Sequence, residues 1–263
     1  MKQVVLLKVT PKVDQIKFDD QKKTVVREGV ENEIDDADKN ALEMALSQKD
    51  KLGGNVTVIS MGPPTFEPFL KLAVAMGADD AILLSDRGFA GSDTFATSRV
   101  LAAAIRKLSP VDIVYCGEAS ADGSTEQVPP SVAEWLGIPG ITYVTKLESD
   151  GQTVKARRDI RGGYEVVQAN TPVLLSVELG CNTPRFPDFR RKRWADKELK
   201  LTVWTMQDLA LEQSQAGNDG SLTTVTELKS MRATARKSQY IEGTSEEVIS
   251  KLLQVIQEGG AVA

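Results

Sequence analysis

The sequence predicts an α/β fold in which a parallel sheet has helices on both faces and carries added hairpin strands. Up to Gly137, short β-type runs alternate with helical patterns of about 10–15 residues, and this alternation is typical of parallel sheets. After Gly137, four β-type runs follow one another closely, with turn residues between them. Ligands of parallel α/β sheets bind at the carboxyl ends of the strands, so we expect a site there.

The first half of the chain contains four β-type runs and three helical patterns between them. The β-type runs are residues 4–7, 56–60, 81–84 and 111–116. Apolar residues recur at helical spacing over residues 37–46, 69–76 and 95–108, and a further helix is predicted over 132–136.

The second half changes character. The β-type runs 141–146, 153–158, 164–168 and 173–177 are interpreted as hairpin strands, with turns at Asp150-Gly151 and Gly162-Gly163. Residues 182–197 are rich in Pro and Arg, and residues 213–222 are interpreted as a polar linker. The pattern of 245–257 predicts a last helix with an apolar stripe and with Thr244 or Ser245 as its N-cap. The tail is therefore expected to form an arm with its own helix.

The composition narrows the class of protein. No stretch approaches about 18 consecutive apolar residues, so no membrane span is expected. The N-terminal apolar run is too short for a signal peptide, and we expect a cytoplasmic protein. A net charge of −5 argues against wholesale nucleic-acid binding. The two cysteines, Cys116 and Cys181, have no metal-ligand or redox spacing.

The chain of 263 residues contains no histidine. This excludes Ser-His-Asp and Cys-His nucleophilic machinery and removes the commonest ligand of transition metals. No catalytic or metal-binding side chain is therefore expected, and any chemistry should be carried by a bound cofactor.

The segment 116–130 is the clearest candidate site. It follows the fourth β-type run and leads into a helix, and its small residues, with the hydroxyls of Ser124 and Thr125, suit phosphate oxygens near a helix N-terminus. It contains neither a P-loop nor a GxGxxG pattern. The alternative is a tight strand-to-helix turn capped by Asp122 and Ser124.

Three motifs in this chain resemble those of electron-transfer flavoprotein β subunits. GEASADGSTEQVPP (117–130) with AEWLGIP (133–139) is similar to the nucleotide loop, in the form found where that subunit holds FAD. ARRDIRGGYEVV (156–167) and PVLLS (172–176) resemble the family signature, except for Arg161 and Ser176. NTPRF (182–186) resembles the start of the loop that docks partner flavoenzymes, but the basic run after Phe189 departs from the family pattern and could instead be a nucleic-acid contact or solvated surface.

The resemblance implies a Rossmann-like domain over 1–205 and a C-terminal arm over 206–263 that packs on an α subunit. It implies that FAD contacts these residues: Leu6, Lys8, Asp35, Asp36, Ala37, Asp38, Met61, Asp122, Gly123, Ser124, Thr125, Glu126, Gln127 and Val128. The structural alternative is that Asp35 and Asp36 serve as caps at a helix start and that Asp38 favours the first turn through the helix dipole. Arg185 and Phe189 are expected to dock the partner enzyme.

The resemblance also implies a function. An electron-bifurcating β subunit would work beside an FAD-carrying α subunit, take hydride from NADH and serve ferredoxin or flavodoxin together with an acyl-CoA dehydrogenase or related flavoenzyme. Two alternatives stay open: a non-bifurcating β subunit with structural AMP, and a stand-alone ATP-binding sensor of the same broad fold.

Overall fold

The structure of the chain is a computed structural model that describes residues 1–12, 17–19, 24–26, 31–224, 226 and 240–258. The chain forms two compact units, Met1–Leu228 and Lys229–Ala263. The arm expected from residue 206 onward is defined by its contact with another subunit. A division of one chain into compact units does not test such contact, so the arm stays a prediction.

Within its described residues, the first unit contains one large sheet and two short ones. The strands of this unit are β1 (Lys2–Leu6), β2 (Val9–Pro11), β3 (Lys17–Asp19), β4 (Thr24–Val26), β5 (Asn32–Ile34), β6 (Asn55–Met61), β7 (Asp80–Leu84), β8 (Ile113–Gly117), β9 (Gly140–Ser149), β10 (Thr153–Ile160), β11 (Gly163–Asn170), β12 (Val173–Val177) and β13 (Thr202–Trp204). The pairs β2–β5 and β3–β4 are separate two-stranded antiparallel sheets.

The large sheet has nine strands in the order β11-β10-β9-β12-β8-β1-β6-β7-β13. Along this spatial order, every pairing from β9 to the edge strand β13 is parallel. The remaining pairs, β9–β10 and β10–β11, are antiparallel. The chain runs outward from β1 to β6 and β7, then returns to β8 on the other side of β1. The strand order therefore reverses between β1 and β8, which is where such folds form a ligand crevice.

Helices cover both faces of this sheet. They are α1 (Asp36–Leu52), α2 (Glu67–Met76), α3 (Thr94–Leu108), α4 (Val128–Leu136), α5 (Phe189–Lys197) and the short α6 (Gly217–Gly220), with single 3-10 turns at Pro64–Phe66, Arg87–Phe89 and Gln213–Gln215. Apolar residues of α1, α2 and α5 share one core, and those of α3 and α4 share the other. In β1, Val5 joins the first core while Val4 and Leu6 join the second, as the alternation of a strand requires. The predicted α/β class, with its mostly parallel sheet, is confirmed.

The helix after β8 begins earlier than the pattern predicts. We expected it over 132–136, but α4 starts at Val128. Pro129 and Pro130 stand in its first turn, where a backbone N–H has no intrahelical partner and a proline is therefore tolerated.

The interpretation of residues 173–177 as a hairpin strand is wrong. β12 pairs parallel with β8 on one side and with β9 on the other, so it lies inside the sheet. All five of its residues are buried, and a continuous apolar run is typical of a parallel strand that is covered on both faces. The antiparallel pairings of β9, β10 and β11 agree with the expected hairpins.

The interpretation of residues 213–222 as a linker is also wrong. This segment folds into the 3-10 turn at Gln213–Gln215 and α6, and it packs beside the start of α3. The amide of Gly217 donates to Ser92 Oγ at 2.9 Å, and the amide of Leu222 donates to Asp93 Oδ2 at 2.9 Å. The segment is polar and nevertheless ordered, because its backbone amides bond to side chains that lie far away in the sequence.

The second unit contains the predicted last helix, α7 (Ser245–Glu258). Thr244 precedes its first turn, and the Thr244 amide donates to Glu247 Oε2 at 2.9 Å. Glu246 and Glu247 also place negative charge at the positive end of the helix dipole. In the part of the chain that the structure describes, no helix combines the length and apolar character needed to cross a membrane.

Candidate functional site

A cleft of about 380 Å³ opens at the carboxyl ends of β1 and β8, the two strands between which the strand order reverses. Its walls come from the end of β1, the segment after β8, and the first turns of α3 and α4. This is the edge of the sheet where the sequence predicts a ligand.

Most of the predicted cofactor residues line this cleft. Those that line it are Leu6, Lys8, Asp38, Met61, Gly123, Thr125, Glu126 and Val128. The remaining ones, all described, stand outside the lining: Asp35, Asp36, Ala37, Asp122, Ser124 and Gln127. Asp36 in particular is exposed and pairs with Lys39 at 2.7 Å. The structure therefore brings residues of distant segments together but leaves Asp36 on the surface.

The loop 117–127 turns tightly from β8 into α4. The amides of Gly123 and Ser124 both donate to the carbonyl of Ser120, at 3.2 and 2.8 Å. Ser124 and Glu126 have left-handed backbones, with φ of 46° and 59°. The tight strand-to-helix turn of the alternative interpretation is therefore present. The N-cap of α4 is Gln127, which makes no side-chain cap bond, so neither Asp122 nor Ser124 caps this helix.

Lys8 joins the end of β1 to this loop. Its Nζ donates to Ser120 Oγ at 3.0 Å and to Asp122 Oδ1 at 2.5 Å. Burial alone would raise the pKa of Asp122, but the hydrogen bond and charge of Lys8 outweigh it and hold that pKa below its ordinary value. Asp122 thus stays ionised beside the cleft.

Two carboxylates at the start of α1 bind backbone amides around the cleft. Asp35 is the N-cap of α1; its Oδ1 accepts from the Ala37 amide at 3.1 Å and its Oδ2 from the Ala121 amide at 2.7 Å. Asp38 accepts from the amides of Lys8 and Gly117, each at 2.6 Å. The capping alternative therefore holds for Asp35, whereas Asp38 makes longer-range contacts.

The far side of the loop is also tied down. The hydroxyl of Tyr143 donates to Glu126, and Thr94 Oγ1 donates to Gln127 Oε1 at 2.7 Å. Glu118 lines the cleft, and its Oε2 is buried without a hydrogen-bond partner among the described residues. Burial, followed by the charges of Glu178 and Glu126, raises the pKa of Glu118.

The start of α3 also lines the cleft, which was not predicted from the sequence. Ser92, Asp93, Thr94 and Thr97 line the cleft, and Asp93 caps α3 through the Ala96 amide at 2.9 Å. The signal was available, because an Asp directly before a helical pattern marks an N-cap. Nothing in the local sequence indicates that this cap faces residues 117–129.

The predicted docking residues lie on and before α5. Arg185 is held within the chain: its Nε donates to Glu43 Oε2 and its Nη2 to Asp50 Oδ2, both at 2.8 Å. Phe189 begins α5 and is 77% exposed, so it is free to meet another surface. Within the basic run, Arg191 turns inward to the carbonyls of Val74 and Ala78 at the end of α2.

The residues of the cleft offer little chemistry of their own. Cys116 is buried, and burial raises the pKa of its thiol well above the ordinary value, so it is not a thiolate nucleophile. The cleft instead offers an ammonium, hydroxyls, carboxylates and a helix N-terminus, which together bind ligands. A binding role for a cofactor therefore agrees with this lining.

The chain resembles known proteins over most of its length. Residues 22–209 match the electron transfer flavoprotein domain family. The chain is 49% identical over 223 residues to the electron transfer flavoprotein subunit beta of Clostridium acetobutylicum, which covers 84% of this chain and 85% of that protein. It is 41% identical over 251 residues to the same-named subunit of Thermoanaerobacterium thermosaccharolyticum, covering 95% and 96%. It is 36% identical over 259 residues to the caffeyl-CoA reductase-Etf complex subunit CarD of Acetobacterium woodii, covering 98% of each.

Proposed function

This chain belongs to the electron transfer flavoprotein family as a β subunit, which confirms the resemblance of its motifs, and we propose that it holds FAD in the cleft between β1 and β8. In this proposal it pairs with a larger α subunit that carries a second FAD. The complex takes electrons from NADH and delivers them to two acceptors. One acceptor is a ferredoxin or flavodoxin and the other is an acyl-CoA dehydrogenase or related flavoenzyme.

The observation that carries the FAD proposal is the joining of Lys8, the loop 117–127 and the start of α4 around one cleft. The Lys8 ammonium, the Thr125 hydroxyl and the Val128 amide can donate to phosphate oxygens. Because prolines follow Val128, the first turn of α4 has fewer free amides than usual. Phosphate binding should therefore depend more on the Lys8 ammonium and on the hydroxyls of the loop.

The charge of the lining favours a ligand with few phosphates and many hydroxyls. The lining contains one cationic side chain, Lys8, and four carboxyl groups, those of Asp38, Asp93, Glu118 and Glu126. A triphosphate would meet strong repulsion here, which argues against the ATP-binding alternative. The lining also contains the hydroxyls of Thr97 and Thr125, which suit the hydroxyls of ribose or of the ribityl chain. FAD supplies such hydroxyls, and its pyrophosphate carries less charge than a triphosphate.

The volume of the cleft favours enclosure of the adenosine-phosphate half of FAD. At about 380 Å³ the cleft lies near the small end of the range of ligand sites, roughly 300–1,000 Å³. The rest of the dinucleotide would extend past its mouth, where a second subunit could cover it. AMP would fit the same enclosed part, so it stays the alternative occupant.

When bound, FAD supplies the two-electron and one-electron redox chemistry that no side chain of this chain offers. The protein's residues would position it, with Lys8 and the loop 117–127 holding its phosphates. No acid or base in the cleft is needed for direct hydride transfer, in agreement with a chain that contains no histidine.

The proposal is tested by counting the nucleotides of the purified complex. We expect two FAD per heterodimer after denaturation, measured by absorbance and chromatography of the released nucleotides. One FAD with one AMP would refute both FAD binding by this subunit and bifurcation. If two FAD are found, NADH oxidation that requires both acceptors together supports bifurcation, whereas complete turnover with the flavoenzyme alone contradicts it.

A further inference from the structure

Asp38 connects the three segments that form the floor of the cleft. It stands in the first turn of α1 with 7% of its surface exposed, and its two carboxylate oxygens accept from different strand ends. Oδ2 accepts from the Lys8 amide, just after β1, and Oδ1 accepts from the Gly117 amide, the last residue of β8. Both distances are 2.6 Å, which is short for an amide donor, and a charged acceptor shortens such bonds.

The packing around this carboxylate leaves little freedom. A Cβ on Gly117 would lie 2.7 Å from the Cβ of Ala37 and 2.9 Å from Oδ1 of Asp38, so α1 rests directly on the backbone of β8. From the two residues that Asp38 holds, the chain continues into the cleft wall. Lys8 reaches Asp122, and Gly117 opens the loop 117–127.

We propose that Asp38 is the positioning residue of the nucleotide site. Its ionised carboxylate fixes Lys8 and the start of the loop 117–127 so that they can receive the nucleotide. This inference rests on the proposed function only in that the loop holds an adenine nucleotide, FAD or AMP. Both oxygens of Asp38 are already bound to amides, so Asp38 acts through Lys8 and Gly117.

The charges that face Asp38 oppose one another. Burial and the carboxylate of Asp35 raise its pKa to about 7, while the amides of Lys8 and Gly117 and the charge of Lys8 lower it. Cys116 lies near on β8 and is itself neutral, because burial and Asp38 raise the pKa of its thiol. A carboxyl with a pKa of about 7 changes its charge near neutral pH.

Protonation should change folding and binding in opposite directions. Because the pKa of Asp38 is raised from 3.8 to about 7, the folded chain binds this proton more tightly than the unfolded chain. The contribution of this proton to the free energy of unfolding is therefore fully present below the pKa of the unfolded state. It is lost as pH rises through the pKa of the folded state. A protonated carboxyl, however, cannot accept from both amides equally, so the floor of the cleft is less fixed.

The test compares Asp38→Asn with a matched control, Asp112→Asn. Asp112 Oδ2 accepts from the Lys2 amide at 2.7 Å and joins the beginnings of the same two strands, β1 and β8, away from the cleft. The full chain, co-purified with its α subunit and stripped of nucleotide, is titrated calorimetrically with FAD and with AMP. Thermal unfolding of each variant is recorded at the same pH values, from about pH 6 to about pH 8.

We expect Asp38→Asn to bind nucleotide about tenfold more weakly than the wild type at about pH 8, where Asp38 is ionised. The difference should shrink toward about pH 6, as wild-type Asp38 gains its proton. Asp38→Asn should unfold at the same or a higher temperature than the wild type, because it removes a buried charge. Asp112→Asn should keep wild-type affinity throughout. Comparison at equal pH cancels the titration of the nucleotide's own phosphate.

Wild-type affinity in Asp38→Asn at about pH 8 overturns the inference, as does a loss of affinity that merely follows a loss of thermal stability. If the wild type binds AMP and not FAD, the FAD proposal fails, while the effect of Asp38 is measured on AMP. If it binds neither nucleotide, both proposals fail.

Discussion

The ammonium of Lys8 lies 2.5 Å from the carboxylate of Asp122, which joins the residue after β1 to the loop after β8. The side chains are 47% and 31% exposed, so water screens the pair. Its importance is for the shape of the cleft more than for the stability of the fold.

Replacing Lys8 with Met should therefore weaken nucleotide binding more than it lowers the stability of the fold. We expect the free energy of unfolding to fall by less than about 1 kcal/mol, because a partly exposed ion pair contributes little. Nucleotide affinity should fall about tenfold, because a donor and the brace of Asp122 are lost together. Urea denaturation and calorimetric titration measure the two effects. Lys49→Met, which breaks the 2.6 Å pair with Asp79, is the control and should leave affinity unchanged.

Replacing Gly123 with Val should reduce cofactor retention. A Cβ at Gly123 would lie 3.2 Å from Ser120 Oγ and 4.0 Å from Lys8 Nζ, so a branched side chain would press on groups that face the cleft. The FAD content after gel filtration measures the effect. Gly163→Val is the control, since a Cβ there meets nothing within 4 Å. Unchanged FAD content in Gly123→Val would contradict the assignment of the loop.

Replacing Asp93 with Ala should loosen the segment that follows α6. Asp93 caps α3 and also accepts from the amides of Leu222 and Thr223. Burial alone would raise the pKa of Asp93, but these donors outweigh it and lower the pKa. Its stabilising effect is thus present above the ordinary Asp pKa and lost as pH falls through the lowered one.

We expect Asp93→Ala to lower the free energy of unfolding by about 1–2 kcal/mol at neutral pH. The difference from the wild type should vanish in acid, as Asp93 of the wild type becomes protonated. Urea denaturation across this pH range measures it. A difference that persists at the lowest pH would show that Asp93 acts by packing and not by charge.

Replacing Phe189 with Ala should slow electron delivery to the partner flavoenzyme without loss of bound FAD. Phe189 is 77% exposed and lies beside Arg190 on a strongly basic helix. We therefore expect delivery by the wild type to weaken as salt increases. Steady-state transfer rates at several salt concentrations provide the measurement, with the exposed Val203→Ala on β13 as control. An unchanged rate in Phe189→Ala would exclude it as a docking residue.

Local pattern predicted the sheet and its helices but not the partners of every strand. Residues 173–177 read as a β-type run, yet the run does not reveal that β8 lies beside it, because β8 is about sixty residues away. The Gly- and Ser-containing segment 213–222 has no period, since its order depends on hydrogen bonds to Ser92 and Asp93.

The part of the candidate site that lies in one continuous segment was predictable from the sequence. The loop 117–127 and Lys8 were found from motif and position, whereas the buried state of Asp38 was not. That burial requires Gly117, 79 residues later, to lie against the first turn of α1. Contacts between distant segments decide which polar residues bind a ligand and which hold the backbone.

The position of β12 inside the sheet has a consequence for synthesis of the chain. Until residues 173–177 have left the ribosome, β8 has a bare edge, and the strands 140–170 have no parallel neighbour through which to join the rest. An unpaired strand edge invites pairing with other chains. The nascent protein therefore carries this unpaired edge while more than fifty residues after β8 are translated, and an exposed edge of this kind is prone to aggregation.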